Sequence, residues 1–559
     1  MKISGAEILI ECLKKEGVEV MFGYPGGVVI PIFHHIFNAP FKFILARHEQ
    51  GAVHAADGYA RASGKVGVAL TTSGPGATNA VTGIATAYMD SVPLVVITGQ
   101  VSTAMIGNDA FQEADTTGIT RPVTKHNFLV QNVEELARIV KEAFFIASTG
   151  RPGPVVIDIP VDVSKAETKF VYPEEVKLRS YKPVYKGHPV QIEKACRLIE
   201  TSKRPVIYAG GGVIASNAAA ELAEFVKKTG IPITTTLMGL GAYPETDPLA
   251  LKMLGMHGTF YANQAVHDSD LLIAVGARFD DRVTGNVSEF IPEAKVIHID
   301  IDPASVSKSV QVDIPIVGDC KAVLHEMTKI VKPPQIQEWV DAILKMKKEN
   351  PLTYGSDGTR IKPQYVVERI YELTKGDAVI TTEVGQNQMW AAQFYQYTQP
   401  RSFISSGGLG TMGFGFPAAI GAQLARPDKR VIDIAGDGSI QMNIQELIVA
   451  VQHRLPIIIA ILNNGFLGMV RQWQQLFFDK RYSHSCISFS PDFVKLAEAY
   501  GAVGIRVEKR EEVDEAIRRA LSETEKPVIL DFHVDREENV YPIIPAGKSV
   551  KDMITRELV

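Results

Sequence analysis

The chain has 559 residues, 46% hydrophobic and 22% charged, with a formal net charge of −5. That length exceeds a single core and implies roughly three or four domains of ordinary globular composition. The slightly acidic balance argues against nucleic acid or an anionic membrane surface as a partner. No apolar run is long enough to span a bilayer, so no membrane role is expected. Four cysteines, Cys12, Cys196, Cys320 and Cys486, are scattered with no paired spacing and no His cluster beside them. They exclude a zinc site or disulfide framework and fit a reducing cytoplasm.

From the N-terminus, Ser4-Gly5-Ala6-Glu7 reads as a capping box opening the amphipathic helix AEILIECLKKE, which Gly17 ends. Strand VEVMF follows at once, so no signal peptide or transit segment is expected. Apolar strands FKFIL, VGVALTT, VPLVVIT and PVVIDIP carry the first block to about Val163. Within it, Arg47-His48-Glu49 marks the change from strand FKFILA to helix QGAVHAADGYARA, and Glu49 suits a helix's first turn. The charged, proline-bearing stretch from Thr168 to Pro189 reads as a linker. A second block, Val190 to Lys329, has strands RPVIYAGGG, DLLIAVGA and KVIHIDID. A second linker, with Lys332-Pro333-Pro334 and a polar helix, runs to Pro363; a third block spans Gln364 to Val534, before a tail with Pro542, Pro545 and Gly547. Strands alternating with helices predict an α/β protein of three doubly wound parallel sheets. The expected divisions are 1–165, 190–330, 364–535 and a tail over 536–559.

The most informative pattern lies in the third block. Gly436-Asp437-Gly438 follows strand RVIDIA, and Asn463-Asn464 follows strand IIIAIL. The stretch between, GSIQMNIQELIVAVQHRLP, has the length of one helix. Such a βαβ unit brings Asp437 and Asn464 to one carboxyl edge, where open α/β sheets bind ligands. A carboxylate, a side-chain amide and a nearby carbonyl are hard oxygen donors suited to Mg²⁺ with diphosphate. The glycines admit backbone N–H groups to the phosphates, and a helix N-terminus favours their charge. In the second block, GARFDDRVTG gathers Arg278, Asp280, Asp281 and Arg282 on one loop, whereas Gly210-Gly211-Gly212 is short of a full dinucleotide fingerprint.

Across nearly its whole length the sequence resembles the thiamine-diphosphate-dependent carboligase family, most closely its acetohydroxyacid synthase branch. The resemblance is carried by GYPGG at Gly23–Gly27, RHEQGA at Arg47–Ala52, TSGPGATN at Thr72–Asn79 and IGNDAFQE at Ile106–Glu113. It continues in GRPGPV at Gly150–Val155, MLGMHGT at Met253–Thr259, GARFDDRVTG at Gly276–Gly285, GGLGTMGFG at Gly407–Gly415 and GMVRQWQ at Gly468–Gln474.

The resemblance implies thiamine diphosphate, Mg²⁺ and FAD as cofactors. Residue by residue, it assigns Glu49 to the aminopyrimidine N1′, where a carboxyl group favours the imino form that removes the C2 proton. Gly410 would accept from the 4′-amino group, and Met412 would support the bent cofactor. Gln386, Gly436, Gly438 and Ser439 would hold the diphosphate, with Asp437, Asn464 and the Phe466 carbonyl on the metal. Gly26 and Gln112 would face the reacting centre from a second subunit, in a homodimer or homotetramer with the site between chains. Arg151, Gly210, Gly211, His257, Arg278, Asp300 and Asp319 would bind FAD. Arg278 and Trp473 would recognise the second 2-oxoacid, the guanidinium holding its carboxylate. The implied reaction decarboxylates pyruvate and ligates the two-carbon unit to pyruvate or 2-oxobutyrate, in branched-chain amino-acid synthesis. A separate regulatory small subunit is also implied. The nearest rivals, a pyruvate oxidase or a 2-oxoacid decarboxylase, are disfavoured by the GARFDDRVTG loop and Trp473. One departure is Val161, where many relatives carry lysine near the site entrance.

Overall fold

The computed structural model describes residues 2–355 and 358–555. Met1 and residues 556–559, the outer ends of the first and last expected divisions, lie outside the described residues, as do 356–357 of the second linker. Three six-stranded sheets, all parallel, form the body of the protein. The first is ordered Lys42–Leu45, Val20–Gly23, Gly67–Thr71, Leu94–Gln100, Pro154–Pro160, His126–Leu129. The second runs Ala250–Met253, Ile233–Thr235, Pro205–Ala209, Leu271–Val275, Lys295–Asp300, Ile314–Val317. The third runs Phe403–Ile404, Ala378–Thr382, Arg430–Gly436, Ile458–Asn463, Val528–His533, Val503–Val507. Helices cover both faces of such sheets, so central strands are apolar on both sides. Every residue of Leu94–Gln100 and of Pro154–Pro160 is buried.

The opening helix spans Gly5–Lys15, with the Ser4 hydroxyl accepting from the Glu7 N–H at 3.2 Å. The first and third blocks share one core through a close crossing of helices Glu49–Ser63 and Gly415–Ala425. Glycines permit it: a Cβ on Gly58 would lie 2.1 Å from the Ala418 carbonyl oxygen, and one on Gly421 1.8 Å from that of Ala55.

Three stretches differ from expectation. The segment between Gly438 and Asn463 is not one helix but two short 3₁₀ turns, Ile440–Met442 and Ile444–Glu446, and a six-residue helix, Leu447–Gln452. Asn443 interrupts it at φ −137°, its side-chain amide donating to the Gly413 carbonyl at 2.7 Å. The first linker is tied down at its start, where Glu167–Lys169 pairs antiparallel with Lys2–Ser4. In the second, helix Gln337–Glu349 packs Trp339 and Ile343 into the central core, Trp339 Nε1 donating to the Pro205 carbonyl at 3.2 Å. The tail also folds back. Gln472 and Val540 exchange two hydrogen bonds, at 2.8 and 2.9 Å, and the Ile544 N–H donates to the Met256 carbonyl at 2.8 Å.

Candidate functional site

The third sheet ends its strands at Thr382, Gly436 and Asn463, and the residues just beyond these ends line a cavity of about 660 Å³. Asp437 is 1% exposed there, and its Oδ2 has no hydrogen-bond partner. Burial pushes its carboxyl up to about 7, the response of an anion removed from water without a counter-charge. Asn464 Oδ1 accepts from the Phe466 N–H at 3.0 Å, and its Nδ2 donates to Gln386 Oε1 at 3.3 Å. Gln386 opens helix Gln386–Phe394 and donates through Nε2 to Gln472 Oε1 and the Glu538 carbonyl, at 2.9 and 3.1 Å. The helix N-terminus expected after Gly438 is therefore supplied instead by Gln386–Phe394 and by Gly468–Phe477, both of which begin at this cavity. Gly436, Gly438 and Ser439 form the facing turn, closed by the Gly436 N–H donating to Ser439 Oγ at 3.2 Å.

Gly410, at φ 73°, and Met412 lie on the loop across the cavity, and Trp473 forms part of its wall with its indole N–H unpartnered. The opposite wall comes from the central block. His257 and Arg278 reach the same space; burial holds the His257 imidazole down to about 4, so it is neutral, and its Nδ1 is unpartnered.

Arg278 also lines an adjoining cavity of about 210 Å³, together with Arg151, Gly211, Asp300 and Asp319. Arg151 donates to Ser91 Oγ at 2.8 Å and to Asp302 Oδ2 at 3.2 Å. Asp300 accepts from the Asp302 N–H at 2.8 Å, and Asp319 caps helix Cys320–Ile330. Gly210 stands behind this wall, where a Cβ would meet the Gly276 carbonyl oxygen at 2.4 Å.

Besides Gly210, three expected residues line neither cavity: Glu49, Gly26 and Gln112. They cluster instead at the carboxyl edge of the first sheet, around the Thr72–Gly76 turn. Glu49 begins its helix and accepts from Asn79 Nδ2 at 3.0 Å. Gly26 is pressed against the Thr72 side chain, and the Gln112 backbone, at φ 57°, lies against Gly74. One chain thus holds the expected constellation as two separate halves.

Sequence reasoning passed over three acids with buried side chains beside the Gly407–Gly415 loop. Glu383 accepts from the Gly413 and Phe416 N–H groups at 2.6 and 3.0 Å, and burial pushes it up to about 7. Burial and the adjacent Glu383 push Asp433 well above the carboxylate range. The signal was present: an acid inside the apolar strand RVIDIAG, and another at the end of AVITTE. The third, Asp90, accepts from the Gly407 and Gly408 N–H groups at 3.1 and 2.7 Å. It gave no local sign.

Among the described residues no group of three His, Cys, Asp or Glu side chains could hold a metal. The edge at Asp437 offers a single carboxylate, an amide oxygen and a carbonyl. Its unpartnered, buried Oδ2 is the feature that fits a small hard cation.

Three family models match: the thiamine pyrophosphate enzyme N-terminal TPP binding domain over residues 3–119, the central domain over 192–327 and the C-terminal TPP binding domain over 383–532. The chain is 51% identical to the acetolactate synthase large subunit of Buchnera aphidicola subsp. Schizaphis graminum, covering 99% of both chains. It is 51% identical to that of Haemophilus influenzae, covering 99% of this chain and 98% of the other. With the acetolactate synthase isozyme 3 large subunit of Escherichia coli it shares 49% identity over 99% and 98%.

Proposed function

Since the chain belongs to the thiamine pyrophosphate enzyme family, among its acetolactate synthase large subunits, we propose that it decarboxylates pyruvate and joins the two-carbon unit to a second 2-oxoacid. With pyruvate as acceptor the product is 2-acetolactate; with 2-oxobutyrate it is 2-aceto-2-hydroxybutyrate. Both feed branched-chain amino-acid synthesis, and the four unpaired thiols suit a cytoplasmic setting. The observation that carries the reading is the cavity in which Asp437, with its unsatisfied buried oxygen, shares one space with Met412 and Trp473.

In this reading Asp437, Asn464 and the Phe466 carbonyl hold Mg²⁺, while Gln386 and the turn Gly436–Ser439 hold the diphosphate. Bound thiamine diphosphate supplies a carbon nucleophile and an electron sink. Gly410 accepts from the aminopyrimidine amine, Met412 supports the ring system from below, and Glu49 holds or releases a proton at the aminopyrimidine nitrogen. Glu49, Gly26 and Gln112 reach the cavity of a second copy, which makes a dimer the smallest working unit. The largely exposed Phe37 and Phe111 of the first block, and Phe478 and Phe489 of the third, suit burial between copies. Arg151, Gly211, Arg278, Asp300 and Asp319 would hold FAD in the adjoining cavity, with Gly210 packed behind its wall and His257 reaching it from the neighbouring cavity. Arg278 faces both cavities, so it also receives the carboxylate of the second 2-oxoacid, whose side chain meets Trp473. A separate small subunit binds the assembled large subunits, in keeping with the relatives' names.

The test is an assay of the purified chain with pyruvate, thiamine diphosphate and Mg²⁺, with and without FAD, scoring acetolactate against acetaldehyde and acetyl phosphate. Acetolactate as the main product supports the reading, and acetaldehyde or acetyl phosphate in its place refutes it.

A further inference from the structure

The loop Gly407–Met412 is mounted on a single helix of the first block. Helix Pro75–Asp90 ends at Asp90, whose side chain is 0% exposed and whose two carboxylate oxygens accept from Gly407 N–H at 3.1 Å and Gly408 N–H at 2.7 Å. One turn earlier on the same face, the Thr86 hydroxyl meets the Thr411 hydroxyl at 2.7 Å. Gly410 lies between these two anchors at φ 73°, so the direction of its carbonyl is set by attachments on either side. Arg61 completes the mount. It pairs with Asp90 at 2.9 Å, donates to the Ser405 carbonyl at 2.8 Å, and is itself paired with Asp57 at 2.5 Å. Its guanidinium carbon also stands 5.2 Å from the Phe414 ring centroid. Gly408 is pressed so closely here that a Cβ would lie 2.8 Å from Asp90 Oδ1.

This is more than a surface ion pair. Charge-assisted hydrogen bonds from two consecutive backbone amides to one carboxylate fix orientation as well as position. An ionised Asp90 can accept both amides and still face Arg61, whereas an amide side chain has one acceptor for three donors. We infer that Asp90 is a positioning residue of the thiamine diphosphate site: held by Arg61, it fixes the Gly407–Gly408 amides and so aims the Gly410 carbonyl at the aminopyrimidine amine. The inference rests on the cofactor reading above. It assigns this duty to a residue of the first block that borders the adjoining cavity but is none of those given to thiamine diphosphate, metal or FAD above.

The experiment uses the full-length protein carrying Asp90→Asn. Thiamine diphosphate is titrated at fixed Mg²⁺ by the quench of tryptophan fluorescence, since Trp390 and Trp473 line the cavity. Exchange of the C2 proton of the bound cofactor is then timed in D₂O by acid quench. Exchange per bound cofactor falls about 100-fold, the loss that a misplacement of about 1 Å brings. Half-saturation moves less than about threefold, because the Asp437 edge is untouched and only the orientation of the ring contact is lost. Asp90→Glu, which keeps the charge for Arg61, recovers part of the rate. A merely structural Asp90 would lower the number of binding sites and the thermal midpoint while exchange per bound cofactor stayed at the wild-type rate; that result overturns the inference. Should Asp90→Asn fail to fold, Thr86→Val removes the second anchor without stranding a charge. It lowers exchange per bound cofactor about 10-fold, and an unchanged rate refutes the mount. Wild-type protein with no Mg²⁺-dependent quench by thiamine diphosphate would instead refute the cofactor reading itself.

Discussion

Gly421→Ala tests whether the first and third blocks are locked by close helix packing. A glycine in a helix interior is about 1 kcal/mol worse than alanine, so on propensity alone the substitution stabilises helix Gly415–Ala425. The structure reverses that sign. The new Cβ would stand 1.8 Å from the Ala55 carbonyl oxygen and 2.7 Å from the Tyr59 nitrogen, both backbone atoms of helix Glu49–Ser63. No rotamer change relieves a clash with backbone, so one helix must move by about 1.5 Å to reach ordinary contact. Overpacking of this kind costs about 3 kcal/mol, which outweighs the propensity gain. For a unit of domain size the net loss of about 2 kcal/mol lowers the thermal midpoint by roughly 4–8 °C. Gly58→Ala meets the Ala418 carbonyl oxygen at 2.1 Å on the same crossing. One separation of the helices relieves both clashes, so the double variant should lose less than the sum of the two single losses. The assay is thermal unfolding followed by circular dichroism at 222 nm for wild type, both single variants and the double. A midpoint for Gly421→Ala equal to or above wild type would falsify the packing argument.

Glu49→Gln should lower turnover of pyruvate by about 10²–10⁴-fold with an unchanged far-ultraviolet spectrum, and wild-type initial rates would remove Glu49 from the proton chemistry. Asp437→Ala should abolish Mg²⁺-dependent binding of thiamine diphosphate in a fluorescence titration; retained affinity would remove the metal edge from the proposal. Glu446, 2% exposed and accepting from the Arg47 N–H at 2.9 Å, is pushed up to about 7 by burial. An acid raised on folding favours the folded state fully below its unfolded value of about 4.3, and that contribution is lost as pH rises through about 7. The urea midpoint should therefore fall from pH 5 to pH 8, and Glu446→Gln should flatten this slope. Asp158, also raised to about 7 by burial, leaves part of it in place. Identical slopes for wild type and variant would rule Glu446 out as a source.

Much of the fold was legible because buried parallel strands write themselves as unbroken apolar runs. PVVIDIP and VPLVVIT are such runs, and they pair in register from Leu94 with Pro154 to Gln100 with Pro160. The Asp437–Asn464 edge was legible for a related reason: Gly436 and Leu462 are register partners on adjacent strands, so the residues after them emerge side by side. The helix expected between them was not, because Asn443 spends its side chain on the Gly413 carbonyl instead of leaving the backbone to continue. Helix Gln337–Glu349 looked like a linker because one Trp and one Ile carry its burial amid charged neighbours. Asp90 was hidden for a deeper reason. Its amide partner Gly408 is 318 residues away, and no local pattern announces a contact over that distance.

The same crossing has a consequence for the order in which the chain is made. Helix Glu49–Ser63 buries eleven of its residues, several of them against Gly415–Ala425. Arg61 and Ser405, bonded across this junction, are 344 residues apart. At about 5–20 residues per second, roughly 17–70 s of synthesis separate the two. The first sheet is complete once Pro160 has been made, yet until Ser405 follows the outer side of its Ala- and Gly-rich helix has nothing to pack against. During biosynthesis this face of the newly made chain is one that calls for a chaperone's cover.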